Sequence, residues 1–263
     1  MRPEPPESPR EDPEEGLIRR RFPRYPFQLP FRYRVHPVPA NTPPRGGVGW
    51  TRQLSEGGAG VELGELLTPG WALTLQAQTT QGPREVQAQV VWSQKPVEGD
   101  GGILHGLVFT AVEAKLLHAF RDIFQVLNVF QDLSRTPRAG LRLPIATPAI
   151  CQARYPPGPL LQSRTGNISR QGVLLLISAV MAPGTVLAVT LGSPQGTVSL
   201  EGVVVWRDMS ARAALDEFVR HGVQLTTRDW AMALALGSLA VECGMEPVPL
   251  REPGGSAPGR AVE

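Results

Sequence analysis

Two groups of residues in the first half of the chain stand out by their types and spacing. The first is a set of closely spaced arginines: Arg20, Arg21 and Arg24. A guanidinium binds phosphate through two parallel hydrogen bonds and also stacks on flat rings. The second group combines polar side chains with a glycine that permits close backbone approach: Gln53, Ser55 and Gly58.

Much of this pattern recurs at an offset of 114 residues. Leu-Pro at 29–30 returns at 143–144, Thr-x-x-x-Ser-x-x-Gly at 51–58 returns at 165–172, and Val-Val-Trp at 90–92 returns at 204–206. Matches in order and nearly all at one offset indicate a duplicated domain, because solenoid repeats are only ~20–50 residues long. In the second half of the chain, the residues of comparable type are Arg138, Arg142, Asn167, Ser169 and Gly172.

Each copy has the patterning of short strands followed by one helix. Alternating apolar and polar residues predict strands at residues 31–35, 71–75, 86–90 and 103–111, and at residues 187–191, 198–206 and 222–226. Apolar residues at helical spacing between 116 and 127, and a second helix predicted at 228–243, each offer a face that could close one end of a barrel. Turn residues at 68–70 and 81–83 predict that the strands flanking each turn are antiparallel neighbours.

The predicted organisation has five parts. An acidic, proline-rich tail (residues 1–18) precedes a first barrel plus helix (19–132), a linker (133–142), a second barrel plus helix (143–246) and a final tail (247–263). Both tails are rich in Pro, Gly and charge, a composition that cannot build a core. They are therefore expected to be disordered.

Charge and motif content disfavour several classes of function. A formal net charge of +2 gives little attraction for nucleic acid, so neither DNA nor RNA is expected as a partner. The chain has no nucleophile elbow, phosphate-binding loop, zinc-protease motif or paired carboxylates, and Cys151 and Cys243 stand in no disulfide or zinc pattern. It opens without a signal peptide, and no apolar run approaches the ~20 residues that span a bilayer. A cytoplasmic, non-catalytic protein without membrane insertion is the expectation.

In their order along the chain, the motifs resemble those of the PilZ domain, a bacterial receptor module for cyclic di-GMP. That family has an Arg-x-x-x-Arg motif before its first strand and an (Asp/Asn)-x-Ser-x-x-Gly motif after it. The first unit resembles it at residues 20–24 and 53–58, with Gln53 replacing the usual Asp or Asn. The second unit matches fully at residues 167–172. Its arginines are displaced, because Arg138 aligns with Arg24 whereas Ser134 takes the place of Arg20.

The resemblance implies a fold class, a ligand and a set of binding residues. The fold is all-β with C-terminal helices, arranged as two tandem six-stranded antiparallel β-barrels of the PilZ type. The ligand is cyclic di-GMP, with no cofactor, and the implied function is a non-catalytic second-messenger receptor that acts on a protein partner. The implied ligand residues are Arg20, Arg21, Arg24, Gln53, Ser55 and Gly58 in the first unit, and Arg138, Arg142, Asn167, Ser169 and Gly172 in a second site.

Less specific interpretations of the same residues stay open. Asn, Ser and Gly all favour tight turns, so the second motif could be structural alone. The arginine run could be a solvated stretch beside the acidic tail. Trp92 and Trp206 are expected in the core, and His105 and His221 are expected to have structural roles. An adaptor that binds protein but no nucleotide is the alternative function, favoured by Gln53 and the displaced arginines.

The two motifs disagree about which unit is the principal site. The first unit has both arginines in register but has Gln53, whereas the second has Asn167 and only one arginine in register. A hydrogen bond to a charged group contributes about 1.5–3 kcal/mol, against about 0.5–1.5 for a neutral one. We therefore expect the first unit to be the principal site.

Overall fold

The computed structural model describes residues 22, 24–36, 45–79, 82–95, 101–111, 142–208 and 217–243. Most of these residues lie in antiparallel strands, which form two closed six-stranded barrels. The predicted tandem fold is therefore confirmed. The helix expected near residues 116–127, both tails and all of the linker except Arg142 lie outside the described residues.

The first barrel is formed by residues 30–111. Its strands are β2 (Pro30–His36), β3 (Gly46–Ser55), β4 (Gly58–Leu63), β5 (Ala72–Thr79), β6 (Gly82–Gln94) and β7 (Ile103–Ala111), preceded by the short strand β1 (Tyr25–Pro26). The pairing order is β3-β2-β5-β6-β7-β4, and β4 pairs back with β3 to close the barrel. β1 pairs with β3 outside this ring.

The second barrel repeats this order. Its strands are β8 (Pro148–Ala153), β9 (Leu161–Ser169), β10 (Gly172–Ile177), β11 (Val186–Ser193), β12 (Gly196–Arg207) and β13 (Val219–Leu225), followed by helix α1 (Trp230–Cys243). The pairing order is β10-β13-β12-β11-β8-β9, closed on itself. Every strand predicted from alternation is present, because each has one face buried in a barrel and one in solvent.

One of the two turn predictions is wrong. The strands on either side of the turn predicted at 81–83, β5 and β6, pair as expected. The turn at 68–70 joins β4 to β5, and these strands are not neighbours, because β5 pairs with β2 and β4 pairs with β7. Turn residues fix the local chain reversal, with Gly70 at φ +93°, but they do not determine which strand the chain then joins.

Helix α1 contacts both barrels rather than closing the end of one. It packs on β2 and β3 of the first barrel and on β9, β11 and β12 of the second. The Trp50 indole Nε1 donates to the Ala233 carbonyl oxygen at 2.7 Å, and Gly237 leaves room for that ring. The apolar residues of the two barrels and α1 form one continuous core.

The two repeated tryptophans lie on the barrel surface, so the prediction that they are in the core is wrong. Trp92 is 40% exposed and Trp206 is 39% exposed. In each barrel a β-bulge falls between the first valine and the tryptophan of the Val-Val-Trp sequence. The extra residue reverses the alternation, so the tryptophan faces outward instead of inward. Each indole covers a glycine on the neighbouring strand, Gly106 or Gly222.

The repeated histidines are structural, as expected. His105 and His221 are fully buried. His105 Nδ1 donates to the Ile103 carbonyl and Nε2 accepts from the Leu67 amide. His221 does the same with Val219 and Met181. Each ring bridges its own strand to the chain entering the next turn, as the neutral tautomer with its proton on Nδ1.

Gly222→Ala is predicted to destabilise the second barrel. A Cβ at this position would lie 2.0 Å from Trp206 Nε1, so either the indole or the strand must move. Overpacking of this kind costs about 1–3 kcal/mol. Chemical denaturation should show that loss. It should be absent in Gly158→Ala, where the nearest atom would lie at 3.4 Å, and equal stability of the two variants would contradict the prediction.

The buried histidines should make the fold less stable in mild acid. Burial lowers the pKa of His105 and His221 below the usual value, which is about 6.5. The unfolded chain therefore takes up protons first, and stability is full above pH ~6.5 and falls as pH drops through the folded-state pKa. Unfolding free energies measured from pH 7.5 to 5 should decrease. The slope should be smaller in His221→Gln, which keeps an acceptor for the Met181 amide; an unchanged slope would contradict this assignment.

Candidate functional site

The (Asp/Asn)-x-Ser-x-x-Gly motif forms a tight hairpin in both units. Ser55 ends β3 and pairs with Gly58 at the start of β4, and Ser169 and Gly172 do the same between β9 and β10. Each serine hydroxyl donates to the carbonyl oxygen of its paired glycine at 3.0 Å. The serine proton therefore closes the turn, and the hydroxyl oxygen can still accept a hydrogen bond from a ligand.

The last position of the motif has to be glycine because a neighbouring strand passes close to it. A Cβ on Gly58 would lie 2.1 Å from the Leu107 carbonyl oxygen, and one on Gly172 would lie 2.6 Å from the Val223 carbonyl oxygen. The space that a side chain would fill is thus occupied by β7 or β13. The glycine brings the hairpin against the barrel wall.

A β-bulge precedes the first residue of the motif in both units. The pairing shifts between Thr51 and Gln53 in the first barrel and at the equivalent place beside Leu174 in the second. Bulges re-aim side chains next to functional sites. Gln53 is exposed, whereas Asn167 is half-buried and its Oδ1 has no hydrogen-bond partner among the described residues.

In the first unit, the structure places Arg24, the last residue of the arginine motif, beside the hairpin. Arg24 is exposed and directly precedes β1, whose pairing of Tyr25 with Leu54 places Arg24 alongside Ser55. The Phe22 ring lies against Gly57 in the turn of the hairpin. Arg20 and Arg21 lie outside the described residues.

In the second unit, the hairpin lines a pocket of about 250 Å³. Its wall includes Ser169, Gly172 and Arg142, three of the predicted residues. It also includes Arg170, Val205 and Gln28, which were not among the predicted site residues. Arg138 lies outside the described residues.

One ion pair connects the second hairpin to the first barrel. Arg170, in the turn of the hairpin, pairs through Nη1 with Oε2 of Glu62 on β4, and both side chains are largely buried. Arg52 Nη1 lies 3.4 Å from the other carboxylate oxygen of Glu62. The Arg170 guanidinium also stacks over the Trp230 ring, 5.6 Å from its centre. We call Glu62, Arg170, Trp230 and Trp50 the inter-barrel joint.

The described residues contain no group of three His, Cys, Asp or Glu side chains that could hold a metal ion. Within the same residues, no helix is long and apolar enough to cross a membrane. Both cysteines are free thiols, with Cys151 buried and Cys243 exposed.

Fold and site together define a class of protein: tandem six-stranded barrels, each with a glycine-dependent hairpin next to basic residues. The PilZ domain family model matches residues 18–125 and 133–239. The chain therefore belongs to the PilZ family, whose members include receptors for cyclic di-GMP. No curated protein matches the chain by sequence.

Several solved structures resemble this chain at low sequence identity. The motility inhibitor MotI/DgrA of Bacillus subtilis is 8% identical, with 81% of this chain and 93% of that one covered and a TM-score of 0.31. PlzA of Borreliella burgdorferi, solved with c-di-GMP, is 9% identical, with coverage of 81% and 88% and a TM-score of 0.33. YcgR of Escherichia coli, also solved with c-di-GMP, is 13% identical, with coverage of 79% and 81% and a TM-score of 0.30.

Glu62→Leu is predicted to destabilise the joint. It leaves Arg170, whose side chain is 14% exposed, without its carboxylate, and removing one partner of a buried pair costs about 3–5 kcal/mol. Arg52→Leu removes a partner that is 49% exposed, so we expect less than about 1 kcal/mol. Calorimetric unfolding of both variants makes the comparison, and equal losses would show that the carboxylate is not what holds Arg170.

Proposed function

We propose that this protein is a non-catalytic receptor for cyclic di-GMP. The observation that carries the proposal is the convergence of Ser169 and Gly172 with Arg142 and Arg170 on one pocket. Family membership supplies the ligand, because the hairpin and the preceding arginines are the parts that the resemblance assigns to cyclic di-GMP.

The chemistry of the two motif sets suits such a ligand. Cyclic di-GMP presents two phosphates and two flat guanines, and arginine can bind the first bidentately and stack on the second. In the first unit Arg24 stands next to Ser55, with Arg20 and Arg21 preceding it in sequence. In the second, Arg142 lies at the pocket, and Arg138 precedes it in sequence. We propose both sets as ligand sites, with the first unit as the principal one.

The output of the receptor is proposed to be a contact with another protein, with no DNA or RNA bound. Three apolar side chains, Val91, Trp92 and Val108, are 55%, 40% and 39% exposed on neighbouring strands of the first barrel. Exposed apolar groups of this kind favour protein contacts. The same observation favours the second candidate function, an adaptor that uses this surface and binds no nucleotide.

Arg24→Ala should weaken cyclic di-GMP binding at least ~10-fold, a loss of ~1.4 kcal/mol, because it removes a charged partner of a phosphate. Arg138→Ala should cost clearly less, because the second unit has only one arginine in register. Isothermal titration of both variants at one salt concentration measures the difference.

Arg34→Ala is the control for these titrations, since Arg34 is exposed on β2 outside both motifs and its removal should leave the affinity unchanged. A larger loss from Arg138→Ala than from Arg24→Ala would move the principal site to the second barrel. Absence of binding by the parent protein would reject the receptor and favour the adaptor.

A further inference from the structure

The pocket of the second unit is lined by a residue of the first. Gln28 lies across from the second hairpin, in contact with the same cavity as Ser169 and Gly172. When the two copies are aligned at their Leu-Pro sequences, Gln28 occupies the repeat position of Arg142. Both copies of this one position therefore line a single pocket.

The backbone at Gln28 is held on both sides. The Phe27 amide donates to the Arg52 carbonyl oxygen at 3.1 Å, and the Leu29 amide donates to Thr51 Oγ1 at 2.8 Å. The side chains of Phe27 and Leu29 are buried in the first barrel, 4% and 3% exposed. Gln28 between them therefore faces outward, toward the second barrel.

The inter-barrel joint lies close to Gln28. Arg170 lines the pocket and pairs with Glu62, which lies on β4 next to the β3 residues that anchor Gln28. Trp50, on the same strand as Thr51, binds α1 through Ala233. The first barrel is thus attached to the second at two adjacent points near Gln28, because Trp50 and Glu62 are paired on β3 and β4.

The amide oxygen of Gln28 lacks a hydrogen-bond donor within the part of the chain that the structure describes. This atom, Oε1, is buried and has no hydrogen-bond partner among the described residues. A buried acceptor of this kind favours a ligand that brings an N–H group to it. Arg142 and Arg170 line the same pocket as Gln28, whose amide oxygen lacks a donor among the described residues.

We propose that Gln28 is a specificity-determining residue of the second unit's pocket, where its amide oxygen accepts from the N1–H and N2 amino edge of a guanine. This inference rests on the proposed function and extends it to the choice of base. Adenine presents an unprotonated N1 at the corresponding place, so the same amide oxygen would face an acceptor instead of a donor. Gln28 thus favours guanine over adenine in a cyclic dinucleotide.

The test is titration of the full chain with cyclic di-GMP and with cyclic di-AMP, in the Arg24→Ala background so that binding reports on the second pocket. Gln28→Met keeps the length of the side chain and removes the amide. It should lower cyclic di-GMP affinity about 10-fold and reduce the preference over cyclic di-AMP. Gln28→Glu keeps the acceptor oxygen and should preserve more of that preference than Gln28→Met.

Gln87→Met is the matched control, since Gln87 is exposed on β6, and thermal unfolding should be alike in all these variants. Binding by Gln28→Met equal to the control, in a protein that binds cyclic di-GMP, would overturn this inference and leave the receptor function standing. A greater loss in Gln28→Glu than in Gln28→Met would overturn it too, because the amide would then donate to phosphate. A parent chain that binds neither nucleotide would reject both proposals.

Discussion

Helix α1 lacks a polar face, and its burial organises the molecule. Of its fourteen residues, only Ser238 and Glu242 are polar, and a helix that is apolar all round has to be covered on more than one side. One barrel offers one surface. The helix is therefore covered by both, with Trp50 of the first barrel hydrogen-bonded to its backbone, and the two domains share a core.

The position of the second pocket follows from that burial. Once α1 lies between the barrels, Trp230 at its start meets Gly102 of the first barrel and the Arg170 guanidinium of the second. Arg170 is then within reach of Glu62, and the second hairpin is set against β4 of the first barrel. Gln28 lines the pocket because its neighbours Phe27 and Leu29 are hydrogen-bonded to β3, the strand beside β4.

Local patterns in the sequence predicted seven of the strands, and the resemblance to PilZ domains supplied the two barrels. The strands of the two motif hairpins, β3, β4, β9 and β10, were not among those predicted. Strands are read from alternation, and a β-bulge interrupts alternation without changing composition; the bulges before Trp92 and Trp206 therefore could not be predicted. The apolar pattern of α1 predicted a helix that closes one end of a barrel, and it did not indicate that both barrels cover the helix. Gln28 and Arg170 were missed because their roles depend on the packing of one domain against the other. The sequence did contain a signal that could have identified Gln28, because the repeat offset of 114 residues aligns it with Arg142.

The two copies have diverged at the positions that hold them together. Arg170 in the second hairpin turn corresponds to Glu56 in the first, and Glu62 on β4 corresponds to Leu176 on β10. The arginine is therefore present only in the second copy and its carboxylate only in the first. When every copy carries both of the unlike surfaces that form an interface, further copies can keep binding and the assembly can grow into a filament. Here each barrel carries one half, so this ion pair is satisfied once, within a single chain, and it offers no equivalent contact for a third barrel.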